Sequence, residues 1–160
     1  MIEELSEEEV EAFLRRQLIG RVGCHAEGQT YVVPVIYVWD QGYVYVQSIE
    51  GRKTRMMRAN PEVCFEVDEY EEDGSWRSVI VDGLYEELEG SAAEAALALL
   101  VQRFIGRRRG TTDRSTGRKP VAFRIRATNV TGRRVVRTPA TRALTRAGVM
   151  LGRYRARRLR

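Results

Sequence analysis

The chain of 160 residues carries 43% apolar and 31% charged side chains, which suits one globular domain with a real core and excludes an intrinsically disordered chain. No run approaches the roughly 18 apolar residues that span a bilayer, and the acidic opening MIEELSEEEVEAFL lacks the basic-then-apolar pattern of a secretory signal, so a cytoplasmic protein without a membrane segment is the expectation. The net charge of +5 hides an asymmetry: all 22 acids precede Arg114, while 15 of the 27 cations lie from Arg114 onward.

In chain order, SEEEVEAFLRRQL (6–18) predicts a helix opened by a capping box, with Ser6 as N-cap and Glu9 three positions on. Val10, Phe13, Leu14 and Leu18 then repeat at helical spacing. From Gly20 the period becomes two. GRVGCHA, TYVVPVIYVWD and YVYVQSI read as three strands joined by the turns EGQ and QG, and Pro34 inside the second argues for an edge or a bulge. A short helix over 52–59 follows, stopped by Asn60-Pro61. NPEVCFEVDEYEE and WRSVIVDGLYEEL give a fourth and fifth strand, and SAAEAALALLVQRFIG a helix capped by Ser91 and ended by Gly106. After a polar loop over 107–119, PVAFRIRATNVTGRRVV alternates again as a sixth strand. Residues 138–160 hold seven arginines and read as a basic tail appended to a domain over 1–137, whose first 19 residues are the N-terminal helix. Six antiparallel strands with short turns and flanking helices predict a mainly β fold, a closed or nearly closed barrel.

Few side chains are equipped for covalent or metal chemistry. Cys24 and Cys64 lie in apolar runs without CxxC spacing and read as buried reduced thiols. His25 is the only histidine, which leaves little for a metal site or a Ser-His-Asp triad. The acid run Glu66–Gly74 alternates along a strand into a turn and reads as a solvated face. The segment QSIEGRKTRMM is different. It sets Ser48, Gly51, Arg52 and Lys53 where a strand gives way to a helix, and a helix start already exposes free N–H groups and positive dipole. Cations there call for an anion such as phosphate, the plain alternative being pairing with Glu50 or Glu66.

The pieces GRVGC, VVPVIY, SIEGRK, NPEVCFEVDE and WRSVIVDG, in that order over about residues 18–135, resemble the FMN-binding split barrels similar to pyridoxamine 5'-phosphate oxidase, and among them the nitroimidazole-resistance branch. The resemblance implies a six-stranded split barrel that binds FMN. It places the phosphate grip on Arg52 and Lys53 and the isoalloxazine ring beside Val33, Pro34, Val35 and Tyr37. Gln47 and Ser48 then fall near the ribityl chain and phosphate, with further cofactor contacts at Trp76 and Ser78, although packing serves a Trp equally well. It also implies a homodimer with flavin sites at the subunit interface.

One departure bears on chemistry. The nitroimidazole-resistance branch commonly carries His where this chain has Gln47, and Gln exchanges no proton near neutral pH. The implied activity is an oxidoreductase passing electrons from a reduced nicotinamide to a small acceptor, with the cofactor carrying the redox step. The alternatives are a non-catalytic protein on the same fold holding flavin, deazaflavin or haem, and a nucleic-acid binder. The ten arginines of residues 133–160 suit non-specific contact with acidic surfaces, but Tyr154 is their only aromatic and no recognition helix accompanies them.

Overall fold

The computed structural model describes residues 1–104, 117 and 119–136. Its elements are β1 (Ile2–Glu4), α1 (Glu7–Arg16), β2 (Ile19–Ala26), β3 (Gln29–Asp40), β4 (Tyr43–Ile49), α2 (Arg52–Ala59), β5 (Glu62–Tyr70), β6 (Trp76–Leu88), α3 (Gly90–Phe104) and β7 (Pro120–Val135). All strand pairs are antiparallel, in the order β1-β7-β4-β3-β2-β5-β6, and β6 pairs with β7 to close six strands into a ring. The expected six-stranded barrel is therefore present. The seventh strand, β1, is an addition: three exposed residues that pair Ile2 with Val135 and Glu4 with Arg133. The basic tail and nearly all of the expected 107–119 loop lie outside the described residues.

Local chemistry accounts for the elements. The capping box is made, Glu9 N–H donating to Ser6 Oγ at 3.3 Å and Ser6 N–H to Glu9 Oε2 at 2.9 Å. The helix ends at Arg16 rather than Leu18, Gln17 being extended. Two hairpins turn on Glu27-Gly28 (φ 52° and 73°) and Gln41-Gly42 (φ 47° and 81°). Positive φ at both central positions is the two-residue turn whose twist matches the strands. Helix α3 begins at Gly90, Ala93 N–H donating to Glu89 O at 3.4 Å, so Ser91 lies inside its first turn instead of capping it.

Alternation fills the ring. Val22, Tyr37, Val46, Phe65, Val81 and Phe123 are fully enclosed, with the Tyr37 and Phe65 rings edge-to-face at 4.8 Å. Gly83 sits at the register shift between β6 and β7, where a Cβ would lie 2.6 Å from Arg126 O. Cys24 is buried as expected. Cys64 is not: Val63, Phe65 and Val67 take the inward positions of β5, so the parity of the strand turns Cys64 to the outer face. No described helix is long and apolar enough to cross a membrane.

Candidate functional site

The ring splits between β3 and β4. They pair only over Tyr37–Asp40 with Tyr43–Val46, while β3 stays paired with β2 from Gln29 through Ile36. The first part of β3 thus has an open side, and the far end of β4, with Gln47 and Ser48, turns away to pair with Ala122 and Val121 of β7. The direction of the β3 backbone groups follows from one hydrogen bond. Tyr37 N–H donates to Leu18 O at 3.2 Å, toward β2, so alternation aims the amides of Val33 and Val35 the same way. Val32 and Ile36 present their N–H and C=O groups to the opening, where Pro34 offers a carbonyl alone. Pro34 therefore sits at an edge and forfeits no ladder hydrogen bond.

Helix α2 starts at the same opening. Gly51 N–H donates to Thr54 Oγ1 at 3.0 Å, and Thr54 Oγ1 donates to Gly51 O at 2.9 Å, which fixes the first turn. The amides of Arg52 and Lys53 have no carbonyl within the helix to bond. Gly51 is extended at φ −178°, and a Cβ built on it meets nothing nearer than Ile49 O at 3.9 Å. Among the described residues nothing crowds that position.

The cations of α2 divide sharply. Arg58 is held by Glu50 at 2.8 Å and by Glu87 at 2.6 Å, and it pulls both carboxyls below their ordinary range. Glu66 goes to Arg21 at 3.0 Å. The two acids that pairing would have offered Arg52 and Lys53 are thus taken by other arginines. Arg52 donates to Gln29 Oε1 at 2.8 Å and lies 4.5 Å over the Tyr31 ring, a neutral cradle, and it has no carboxylate partner among the described residues. Lys53 is half-buried and has no hydrogen-bond or ion-pair partner among the described residues. Burial pushes its ammonium below the ordinary lysine range. A half-buried lysine and an exposed arginine held by neutral groups, both in the first turn of a helix, suit an anion.

Comparison with known proteins places this barrel. Residues 6–134 match the family model described as pyridoxamine 5'-phosphate oxidase. The chain belongs to that family. A structure from Mesorhizobium loti described as an FAD-binding protein is similar over 85% of this chain and 99% of its own, with 33% identity and a TM-score of 0.69. A Bacteroides thetaiotaomicron structure described as a 5-nitroimidazole antibiotic resistance protein covers 84% of this chain and 87% of its own at a TM-score of 0.70; its 18% identity speaks to the fold alone. An uncharacterised protein of Rhizobium meliloti (strain 1021) is 33% identical over 84 residues, 52% of this chain and 56% of that protein, so the chain spans a little over half the length of this curated relative.

Within this member of the pyridoxamine 5'-phosphate oxidase family, the residues singled out by sequence fall into three groups. Arg52 and Lys53 open α2, Pro34 lies on the part of β3 that does not pair with β4, and Gln47 and Ser48 lie on the end of β4 that has left β3 for β7. Gln47 is exposed and turns outward, lining a hollow together with Leu88 and the α3 residues Ala93, Leu97 and Leu100. Ser48 is half-buried and donates to Ile49 O at 3.3 Å. Val33, Val35 and Tyr37 turn their amides away, and Tyr37 is wholly core, its phenol donating to Leu14 O at 2.7 Å. Burial raises that phenol well above its ordinary value. Trp76 and Ser78 open β6 beside Tyr70 and Asp68, three strands from β3 round the ring, so one chain alone does not bring them to α2.

Gln29, Tyr31 and Thr54, which orient Arg52 and the first turn of α2, escaped the sequence reading. Only Thr54, three residues past Gly51, carried a local capping signal. His25 is exposed, its ring 2.9 Å from Thr30 Oγ1, with no part in this site. The acid run also behaves as a solvated face, Asp68 pairing with Arg21 and Glu69 with Arg16 and Arg77. Among the described residues no group of three or more His, Cys, Asp or Glu is arranged to hold a metal.

Proposed function

We propose that this protein binds a flavin nucleotide, FMN in the simplest form, and acts as an oxidoreductase that passes electrons from a reduced nicotinamide to a small acceptor. The observation that carries the proposal is Lys53: a half-buried ammonium with no hydrogen-bond or ion-pair partner among the described residues, at a helix start whose first amides have no carbonyl within the helix to bond. The phosphate is held by Lys53, by Arg52 from its seat on Tyr31 and Gln29, and by the first-turn amides. The outward backbone groups of Val32, Pro34 and Ile36 face the polar edge of the ring, and the end of β4 lies along the ribityl chain. When bound, the flavin supplies the electron-transfer chemistry. The chain's contribution is position, water exclusion and a cationic field. Gln47 turns its side chain outward and exchanges no proton near neutral pH, so reduction of an acceptor draws its protons from water.

A second copy of the chain completes this proposed site. Ile19, Val32, Pro34 and Ile36 are exposed on the outer face beside the opening, a contiguous apolar surface suited to a partner subunit. Trp76 and Ser78, remote from α2 in one chain, would reach a flavin across such a homodimer.

Absorbance and mass spectrometry of the purified protein test the binding, and oxidation of NADH or NADPH with an added acceptor tests the activity. The Arg52→Ala/Lys53→Ala double variant is expected to purify without flavin. Retention of flavin in that variant refutes the phosphate assignment, and a flavin-loaded protein that never oxidises a nicotinamide refutes the reductase.

A further inference from the structure

A hollow of about 400 Å³ lies between α1 and β7. Its floor is apolar: Leu5, Val10 and Val130 are half-buried against the core, and Trp39 is buried. Its rim is acidic, with Glu4, Glu7 and Glu11 against a single cation, Arg133. Glu11 is already engaged, accepting from Trp39 Nε1 at 2.5 Å and from Arg15 at 2.7 Å. The neighbouring Glu3 and Glu9 are held by Arg134. Glu4 and Glu7 differ: both are exposed and have no hydrogen-bond or ion-pair partner among the described residues. An apolar floor beside two uncommitted carboxylates suits an apolar side chain carried between cations.

The chain carries such a group close by. The described residues end at Val136, three positions past Arg133 of the hollow. Beyond them lie 24 residues with eight arginines and no Asp, Glu or Lys. The first large aliphatic side chain among them is Leu144, set between Arg142 and Arg146. The eight residues from Val136 to Leu144 can span up to about 26 Å, enough to turn back over β7. Every acid of the chain precedes Arg114, so these arginines find carboxylates only on the folded domain or on another molecule. Tethering favours the domain, because it raises the effective concentration of the segment at the hollow. We infer that the hollow is the docking site of this C-terminal segment, with Leu144 covering the floor at Trp39 and Val130 and with Arg142 and Arg146 reaching Glu4 and Glu7. Docking hides part of the segment's basic charge and withdraws it from other acidic surfaces.

The test is hydrogen exchange over residues 140–151 of the full-length protein, read by mass spectrometry for wild type, Glu4→Gln/Glu7→Gln and Leu144→Ser at low salt and at about 1 M salt. At low salt wild type is expected to exchange this segment about tenfold more slowly than Glu4→Gln/Glu7→Gln, the effect of two exposed ion pairs acting with one apolar contact. At about 1 M salt, where screening sets in beyond about 3 Å, wild type is expected to lose most of that protection. Leu144→Ser is expected to lose it at either salt. Glu4 and Glu7 are exposed, so the double variant is expected to melt with wild type and to report docking rather than folding. Equal exchange in wild type and Glu4→Gln/Glu7→Gln overturns the inference. So does protection that grows with protein concentration, which places the segment on a second copy, and so does protection that appears only with added heparin, which gives the segment to an acidic polymer.

Discussion

Replacing Lys53 by Met separates a ligand-binding lysine from a structural one, because the two roles predict opposite signs. Met keeps most of the length and removes the charge. In the ligand complex the ammonium contributes a charge-assisted contact of about 1.5 to 3 kcal/mol, so the variant should lose roughly tenfold to somewhat more than a hundredfold in flavin affinity. In the empty protein the same ammonium is half-buried without a hydrogen-bond or ion-pair partner among the described residues. Removing it relieves a desolvation cost and adds apolar contact near buried Cys24. The flavin-free variant should therefore melt at the same temperature as flavin-free wild type or up to about 4 °C higher. Fluorescence titration gives the first number and thermal melts of flavin-stripped protein the second. Affinity within threefold of wild type, or a lower melting temperature for the empty variant, would refute the reasoning.

The titration of Lys53 adds a pH signature. Its folded pKa lies below the unfolded one, so between the two the unfolded chain holds the extra proton; stability of the empty protein rises with pH through that window, while flavin affinity falls, and Lys53→Met abolishes both trends. Gly51→Ala should leave the melting temperature nearly unchanged, since among the described residues its Cβ meets nothing nearer than Ile49 O at 3.9 Å, yet should weaken flavin binding by occupying the start of the helix; equal binding would place the phosphate elsewhere. Gly83→Ala is the contrast, its Cβ falling 2.6 Å from a backbone oxygen at the bulge, and should cost about 3 kcal/mol in denaturant unfolding. Arg58→Met should lower the melting temperature by at most about 4 °C at neutral pH. The difference from wild type should vanish as pH falls through the depressed pKa values of Glu50 and Glu87, because those carboxylates stabilise the fold only when ionised.

Much of the fold was legible because period-two apolar alternation and two-residue turns are written locally. The strands 43–49 and 76–88 and the helix 52–59 fall where the residues alone placed them. Strand β1 was not legible: Ile-Glu-Glu has no strand pattern, and it is extended only because Arg133–Val135 lies beside it. Parity across the sheet was equally hidden. VVPVIY announces a strand near the site, but which amides face the opening depends on how β3 registers with β2, and the true outward set of Val32, Pro34 and Ile36 overlaps the expected one only at Pro34. The charges of α2 carry the same lesson. Arg52, Lys53, Arg55 and Arg58 are indistinguishable as letters, and only tertiary partners show that Arg58 is spent on structure while the others stay available.

Proline at the open side of β3 has a consequence for assembly. A bare strand margin is a template on which any extended peptide can dock, and one missing donor in mid-run spoils that template for a stranger's backbone. A guest offering acceptors still finds the flanking donors at Val32 and Ile36. Pro34→Val should thus make the isolated chain more prone to fibrous self-association, a hazard separate from anything it does to cofactor capture.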